Sequence, residues 1–271
     1  MWGLSLIDQF IPWQKAFYRP SREVSLQFGI HYDAVDVEGL LPLLHQDILP
    51  LVPETIGLDT GREIRIAALP NPIEFILKQL RNYNSITLYG EKNSRGISKK
   101  ELNINSNPST KTGLINYFVE YTPDFHVFVD TVAELLGPER IRQGYLYSYD
   151  YAGLVDKRRY AGYTYKKGLK TYIDDHREKM VDISDRPGGF CWVKGGFSFR
   201  GASDYWFGPA FFELVPKAHI LAYPYAISIQ EIAPDLVHVK LFESVFGGLR
   251  DDEVWVHQTF RDHLGIDQLK V

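Results

Sequence analysis

Cysteine is almost missing from this chain: Cys191 is the only one in 271 residues. A lone thiol closes no intramolecular disulfide, which excludes the small secreted folds held by disulfide frameworks and fits a reducing compartment. Long apolar runs are missing too, since no uncharged stretch approaches the roughly 18 to 20 residues that a membrane-spanning helix needs. The N-terminal arm, 1–15, has no basic run ahead of its apolar residues and is broken by Asp8 and Pro12, so it fits a secretory signal poorly. These features predict a cytoplasmic protein with no membrane partner. Neither sign of charge is in excess: a net charge of -4 exerts no global pull toward nucleic acid or anionic lipid, and any electrostatic recognition has to be regional. Hydrophobic residues at 45% and charged residues at 24% exclude wholesale disorder.

Catalytic signatures are also lacking. There is no nucleophile elbow, no histidine pair at zinc spacing, no phosphate-binding loop and no dinucleotide fingerprint. The run GEKNSRG at 90–96 has two glycines and a lysine, without the order or the following Ser or Thr of a phosphate loop. Restriction-type nuclease chemistry needs acids followed by Glu-x-Lys on a strand; the nearest match, His238, Val239 and Lys240 after Asp235, has histidine where the acid belongs. The expectation is a non-enzyme with no cofactor and no metal.

What the chain does have is sharp local patterning. Val24, Leu26, Phe28, Ile30 and Tyr32 alternate with Ser25, Gln27, Gly29 and His31, which predicts a half-buried strand. Helical spacing at Leu40, Leu41, Leu44 and Ile48 predicts a helix over 40–49. A second helix starts at Pro72, with Asn71 as cap, Glu74 at the capping-box position and Ile73, Ile76, Leu77 and Leu80 as the buried stripe. A strand over 85–89 follows. The polar stretch 90–113 then reads as a mobile insertion, or as an edge hairpin through Ile97, Leu102 and Ile104.

Ile115, Tyr117, Val119 and Tyr121 alternate before a helix that opens at Thr122 and Pro123, buries Phe125, Phe128, Val129, Val132, Leu135 and Leu136, and closes at Gly137. Tyr145, Tyr147, Tyr149 and Tyr151 share one face of a further strand. Segments 226–232 and 236–242 read as a hairpin turned at Ala233, Pro234 and Asp235, and a last helix follows Asp251 with Val256, Phe260 and Leu264 on one face. The fold class is therefore α+β: a mixed, largely antiparallel sheet with helices packed on it, compatible with two similar strand-helix halves. One domain spans 1–271, divisible into subdomains of about 1–137 and 138–271.

Three clusters are candidates for function, each with a plainer reading. Asp174, Asp175, His176 and Glu178 together suit a divalent metal or proton transfer, but neighbours on a helix point apart, and a solvated acidic helix face is the simpler account. The segment 157–172 interleaves Lys157, Arg158, Arg159, Lys166, Lys167 and Lys170 with Tyr160, Tyr163, Tyr165 and Tyr172 and contains no acid. It suits phosphate contacts with base stacking, an acidic protein surface, or an ordinary strand-turn-strand. The glycines of 188–201 read as tight turns around short strands, with Trp192 and Trp206 in the core and Cys191 as a buried, inert thiol. A hydrolase site assembled from dispersed residues such as His31, His126 and Asp174 is a rival reading.

The run YWFGPAFFELVP, the strand pair AISIQEIAPDLVHVKLFES and the closing HQTFRDHLGI resemble the immunity protein 52 family of bacterial polymorphic toxin systems, and within it the TsiT-type proteins. The matched positions are Trp206, Gly208, Phe211, Phe212 and Leu214, then Val239, Leu241 and Phe242, then Gln258, Phe260 and Arg261. Most of these are fold-forming. The resemblance implies an antidote that binds and neutralises a cognate toxin of a type VI or related secretion system, the toxin being a nuclease of restriction-endonuclease fold. A nuclease cleft is positive, so Asp174, Asp175, Glu178 and Asp182 are the expected phosphate mimics, with Tyr149 and Tyr151 as anchors. If the toxin's surface is acidic outside its cleft, Arg158, Arg159 and Lys166 become the contacts instead. The alternative function is a nucleic-acid-binding accessory protein that uses 157–172.

Overall fold

Residues 23–31, 52–58, 60–82, 85–92, 100–107, 112–122, 125–148, 160, 170–183, 189–247 and 251–271 are described by the structure, a computed structural model. Period-two alternation builds its centre. β1 (Glu23–His31) buries Val24, Leu26, Phe28 and Ile30. Those residues lie beside the buried set of β6 (Thr112–Glu120), in the register Val24 to Val119, Leu26 to Tyr117 and Phe28 to Ile115. The same logic places β2 (Thr55–Leu58), β3 (Glu63–Arg65), β4 (Ser85–Tyr89) and β5 (Glu101–Asn107) on one flank. On the other flank lie β7 (Ile141–Ser148), β12 (Asp204–Phe207), β13 (Ser228–Ala233) and β14 (Leu236–Lys240). These ten strands form one sheet in the order β13-β14-β12-β7-β1-β6-β5-β4-β2-β3, and every described pairing is antiparallel. The two candidate subdomains thus share a sheet through the β1–β7 pair.

One face of this sheet carries aliphatic residues on most of its strands and is covered by α1 (Pro72–Asn82) and α2 (Phe125–Leu136). Asn71 caps α1 as its sequence predicts: its carboxamide oxygen accepts from the Glu74 N–H at 3.3 Å. Ile73, expected in the buried stripe, is 38% exposed, because Ile76 alone of that stripe's described residues is fully buried, with Phe75 and Leu77 packed at its sides. β5 corrects a second expectation. Within 90–113, Glu101–Asn107 is an interior strand bonded to both β4 and β6, because Leu102 and Ile104 reach the core while Asn103 and Asn105 take the other face. It is neither an insertion nor an edge. Residues 93–99 and the expected helix at 40–49 lie outside the described residues.

The opposite face changes chemistry along its length. On β4, β5, β6 and β1 it carries Thr87, Asn103, Asn116 and Gln27 in one cross-strand row. Asn103 donates to Thr87 Oγ1 at 2.7 Å, and Ser25 to Asn116 Oδ1 at 2.6 Å. On β7, β12 and β14 the row continues with Tyr145, Tyr205 and Val239, and a second core covers it. That cover comprises the hairpin of β10 (Cys191–Val193) and β11 (Phe197–Phe199) with the helices α3 (Pro209–Phe212), α4 (Lys217–Leu221), α5 (Asp251–His263) and α6 (Ile266–Leu269). Phe199, Tyr205, Phe207 and Phe211 stack in sequence at 5.7, 5.8 and 4.5 Å. Each aromatic contact adds about 1 kcal/mol beyond area burial.

Three positions make this double-sided packing fit. Gly144 of β7 lies between Phe28 and Trp206, and a side chain there would overlap the Phe28 ring. Its absence lets the two rings meet edge-on at 5.4 Å across the strand. Gly208 follows β12 beside the bulge that lies between the Gly29–Gln143 and Ile30–Ile141 pairs, and a Cβ there would collide with the Ile141 carbonyl oxygen. Arg261, 1% exposed, donates through Nε and Nη2 to Asp267 Oδ1 at 3.0 and 2.8 Å and through Nη1 to the Gly189 carbonyl at 3.1 Å, tying α5 to α6 and to the start of β10. Burial works against ionisation of Asp267, yet its bonds from Lys270 and Arg261 hold the carboxyl below the usual range. Cys191 is buried as expected, and burial pushes its thiol up. Trp192, expected in the core, is 57% exposed, because β10 turns Cys191 and Val193 inward and leaves the residue between them outside.

Replacing Gly208 with alanine forces β12 off β7 and is expected to cost about 3 kcal/mol, read as a lower urea midpoint at unchanged slope. His257 provides a second test. It is buried on α5, its Nε2 lies 2.8 Å from the Ala202 carbonyl, and burial pulls it down to about 4. An unfolded histidine titrates near 6.5, so the unfolded chain binds the extra proton first. Stability should be complete above pH 6.5 and fall by about 3 kcal/mol as the pH drops to 4. His257→Gln should lose that part of the decline in denaturation curves taken across the window.

Candidate functional site

The acids singled out from the sequence sit on a β-hairpin and not on a helix. β8 (Thr171–Ile173) and β9 (Lys179–Val181) pair in the register Thr171 to Val181, Tyr172 to Met180 and Ile173 to Lys179. Between them Arg177 N donates to the Asp174 carbonyl at 2.9 Å and Asp174 N to the Glu178 carbonyl at 3.0 Å, a tight turn followed by Arg177 in the left-handed region at φ 61°. The Asp174 carboxylate is committed to that turn: Oδ1 accepts the backbone N–H groups of His176 at 3.0 Å and Glu178 at 2.7 Å. A short polar side chain that satisfies backbone donors, between aromatic and β-branched residues, is why this segment turns instead of winding.

The hairpin is rooted and presented. Val181 and Ile183 are buried against Tyr160 and Phe190, while Tyr172 and Ile173 are exposed. Asp175 and Glu178 are exposed at the tip beside Arg177 and Lys179, and Asp182 lies half-buried at the base, its N–H donating to the Lys170 carbonyl. Of the four expected phosphate mimics, Asp174 is thus a turn former, Asp182 belongs to the root, and Asp175 with Glu178 remain as the outward acids. Tyr149, Tyr151, Arg158, Arg159 and Lys166 lie outside the described residues.

The family-motif positions build scaffold. Trp206, Phe211, Leu241, Phe260 and Arg261 are buried, Phe212 packs at the edge of the second core, and Gly208 holds the β7–β12 approach. The dispersed hydrolase set does not converge: His31 ends β1, His126 is on α2, and Asp174 is in the hairpin turn. Among the described residues no group of three or more His, Cys, Asp or Glu side chains is placed to hold a metal. Also among them, no helix is long and apolar enough to cross a membrane.

A second surface was not visible in the sequence. A groove of about 550 Å³ runs between α2 and the outer strands β12, β14 and β13. Its helical wall is His126, Val129, Asp130, Ala133 and Glu134, the i, i+3, i+4, i+7, i+8 stripe of α2. Across the sheet it is floored by two cross-strand rows, Asp204 with Lys240 and Ser228, and Trp206 with His238 and Gln230. Asp204 is buried; its Oδ1 lies 3.0 Å from His238 Nε2, and its Oδ2 accepts from Ser203 Oγ at 2.6 Å. The His238 ring stacks on Trp206 at 4.6 Å. Here the serine bonds the acid and not the imidazole, which is not the order of a serine-histidine-acid relay. The pair instead fixes a polar floor. The stripe His126, Asp130, Glu134 at steps of four is its one trace in the sequence.

Comparison with protein-family models, with curated proteins and with solved structures finds no match to this chain. The resemblance to the immunity protein 52 family therefore stands on the residues quoted for it.

Relieving the left-handed residue tests the hairpin geometry. Arg177→Gly should slow amide exchange in 171–181 by stabilising the turn by about 1 kcal/mol, whereas Asp174→Ala, which orphans two backbone donors, should speed it.

Proposed function

We propose that this protein acts by binding another protein, as an antidote that neutralises a cognate nuclease toxin without chemistry of its own. The observation that carries the reading is the β8–β9 hairpin, a turn built in advance by Asp174 that projects Tyr172 and Ile173 together with the acids Asp175 and Glu178. Large side chains held outside a core by a rigid support are what a protein interface uses, because little conformational freedom remains to be lost on binding. The acids suit a partner whose phosphate-binding cleft is positive, where they speed encounter as well as fit. The resemblance to the immunity protein 52 family points to the same reading; of the residues that carry it, Phe211, Phe212, Leu214, Val239, Leu241, Phe242 and Phe260 build the second core and Trp206 lies in the first.

Co-expression with the protein encoded next to it is the direct test, scored as restored growth and then as co-purification of a complex. The double variant Asp175→Lys, Glu178→Lys should keep the fold, as judged by circular dichroism, and weaken protection and complex formation at least about tenfold. Full protection by that variant would remove the hairpin acids from the interface. Absence of both rescue and complex, with salt-sensitive DNA or RNA binding by the isolated chain, would favour the nucleic-acid reading of 157–172.

A further inference from the structure

We infer that the groove between α2 and β13 is a second binding site, and that it takes an extended, cation-bearing segment of a partner protein added to the sheet edge. Among the described residues β13 is the last strand in the sheet order, and Gln230, Glu231 and Ile232 are exposed along it. A strand with an open edge offers backbone donors and acceptors that an extended chain satisfies directly, while alternate side chains of the added strand fall to one face. That face is the groove. Ser228, Gln230 and Ile232 of β13 line it, and α2 stands opposite as a wall. A strand next to a helix across a cleft supplies main-chain affinity from one side and side-chain discrimination from the other.

The chemistry of the walls selects the occupant. Ile232, 40% exposed, is the apolar surface offered to one aliphatic side chain, with the buried Val129, Ala133 and Leu236 lining the groove behind it. Asp130 and Glu134 are exposed one helical turn apart on the rim, a like-charge pair that a cation between them relieves. With the buried Asp204, three carboxylates line the groove against one lysine, Lys240, which itself lies 3.9 Å from Glu243. An added strand with an aliphatic residue and, two positions on, a lysine or arginine meets both features. A second copy of this chain does not, because the groove-facing residues that its own β13 would bring, Ser228, Gln230 and Ile232, are all neutral. The inference is independent of the hairpin interface and holds whether or not the partner is a nuclease.

The probes are labelled peptides about as long as β13, threonine-based, with isoleucine and lysine on one alternating face. Controls replace lysine by glutamate, or methylate the backbone nitrogens that would bond to β13. Fluorescence anisotropy with the intact chain should show saturable binding of the lysine peptide, at least about tenfold weaker binding of the glutamate peptide, and loss on methylation. The variant Asp130→Lys, Glu134→Lys, on an exposed helix face, should reverse the preference between the two peptides. Equal affinity for both, binding that survives methylation, or no saturation at about millimolar peptide would overturn the assignment. Self-association abolished by Ile232→Pro, without peptide binding, would overturn it in favour of a second copy. None of these outcomes bears on the Asp175 and Glu178 test, so the two sites fail or stand separately.

Discussion

The pairing of β1 with β7 is the constraint on which the rest of the molecule depends, because it joins strands from two stretches of chain into one ten-stranded sheet. Its register sets Phe28 opposite Gly144, and Gly144 opposite Trp206, so that the two rings touch across a strand with no side chain between them. Slipping the register by one residue would turn every aliphatic residue of β1 to the polar face. The bulge in β7 lets Ile141 join one core while Gln143, Tyr145 and Tyr147 face the other way, and beside Ile141 the backbone leaves no room for a side chain at position 208.

From that seam the sheet serves two purposes at once. On one face a nearly continuous aliphatic layer is closed by α1 and α2. On the other, an uncharged row of Thr, Asn and Gln gives way to the aromatic core that carries α3 to α6. Both candidate binding surfaces are consequences of how these layers end. α2 covers the centre of the sheet but stops short of the outer strands, leaving the groove. The β8–β9 hairpin is rooted by Val181 and Ile183 in a small cluster of its own with Tyr160 and Phe190, and its tip residues are exposed.

Local rules were legible in the sequence where local residues decide the outcome. The Asn71 cap, the strand at Ser85–Tyr89, the closure of α2 at Gly137 and the β13–β14 turn at Pro234 and Asp235 all depend on residues within a few positions of one another. The failures share the opposite property. Leu102 and Ile104 sit in a stretch rich in Asn, Ser and Lys that reads as a mobile insertion or an edge hairpin, yet neighbouring strands on both sides give them a core. Trp192 reads as core by type but faces outward by strand phase. The acids at Asp174 suggest a helix face until the side chain is seen to bond the backbone of its own turn. Asp204 and His238 meet only because β12 pairs with β14, a distant register that no spacing rule along the chain reveals.

Binding through the two proposed surfaces, each built in advance on a closed sheet, leaves a distinct footprint in hydrogen exchange of the intact chain, measured alone and with its co-purified partner. New protection is expected at 171–181, at 228–233 or at both, with exchange in β1, β6 and β7 unchanged because those strands are already closed. Protection that appears across the central strands only on binding, or a footprint that misses both surfaces, would contradict binding of this kind.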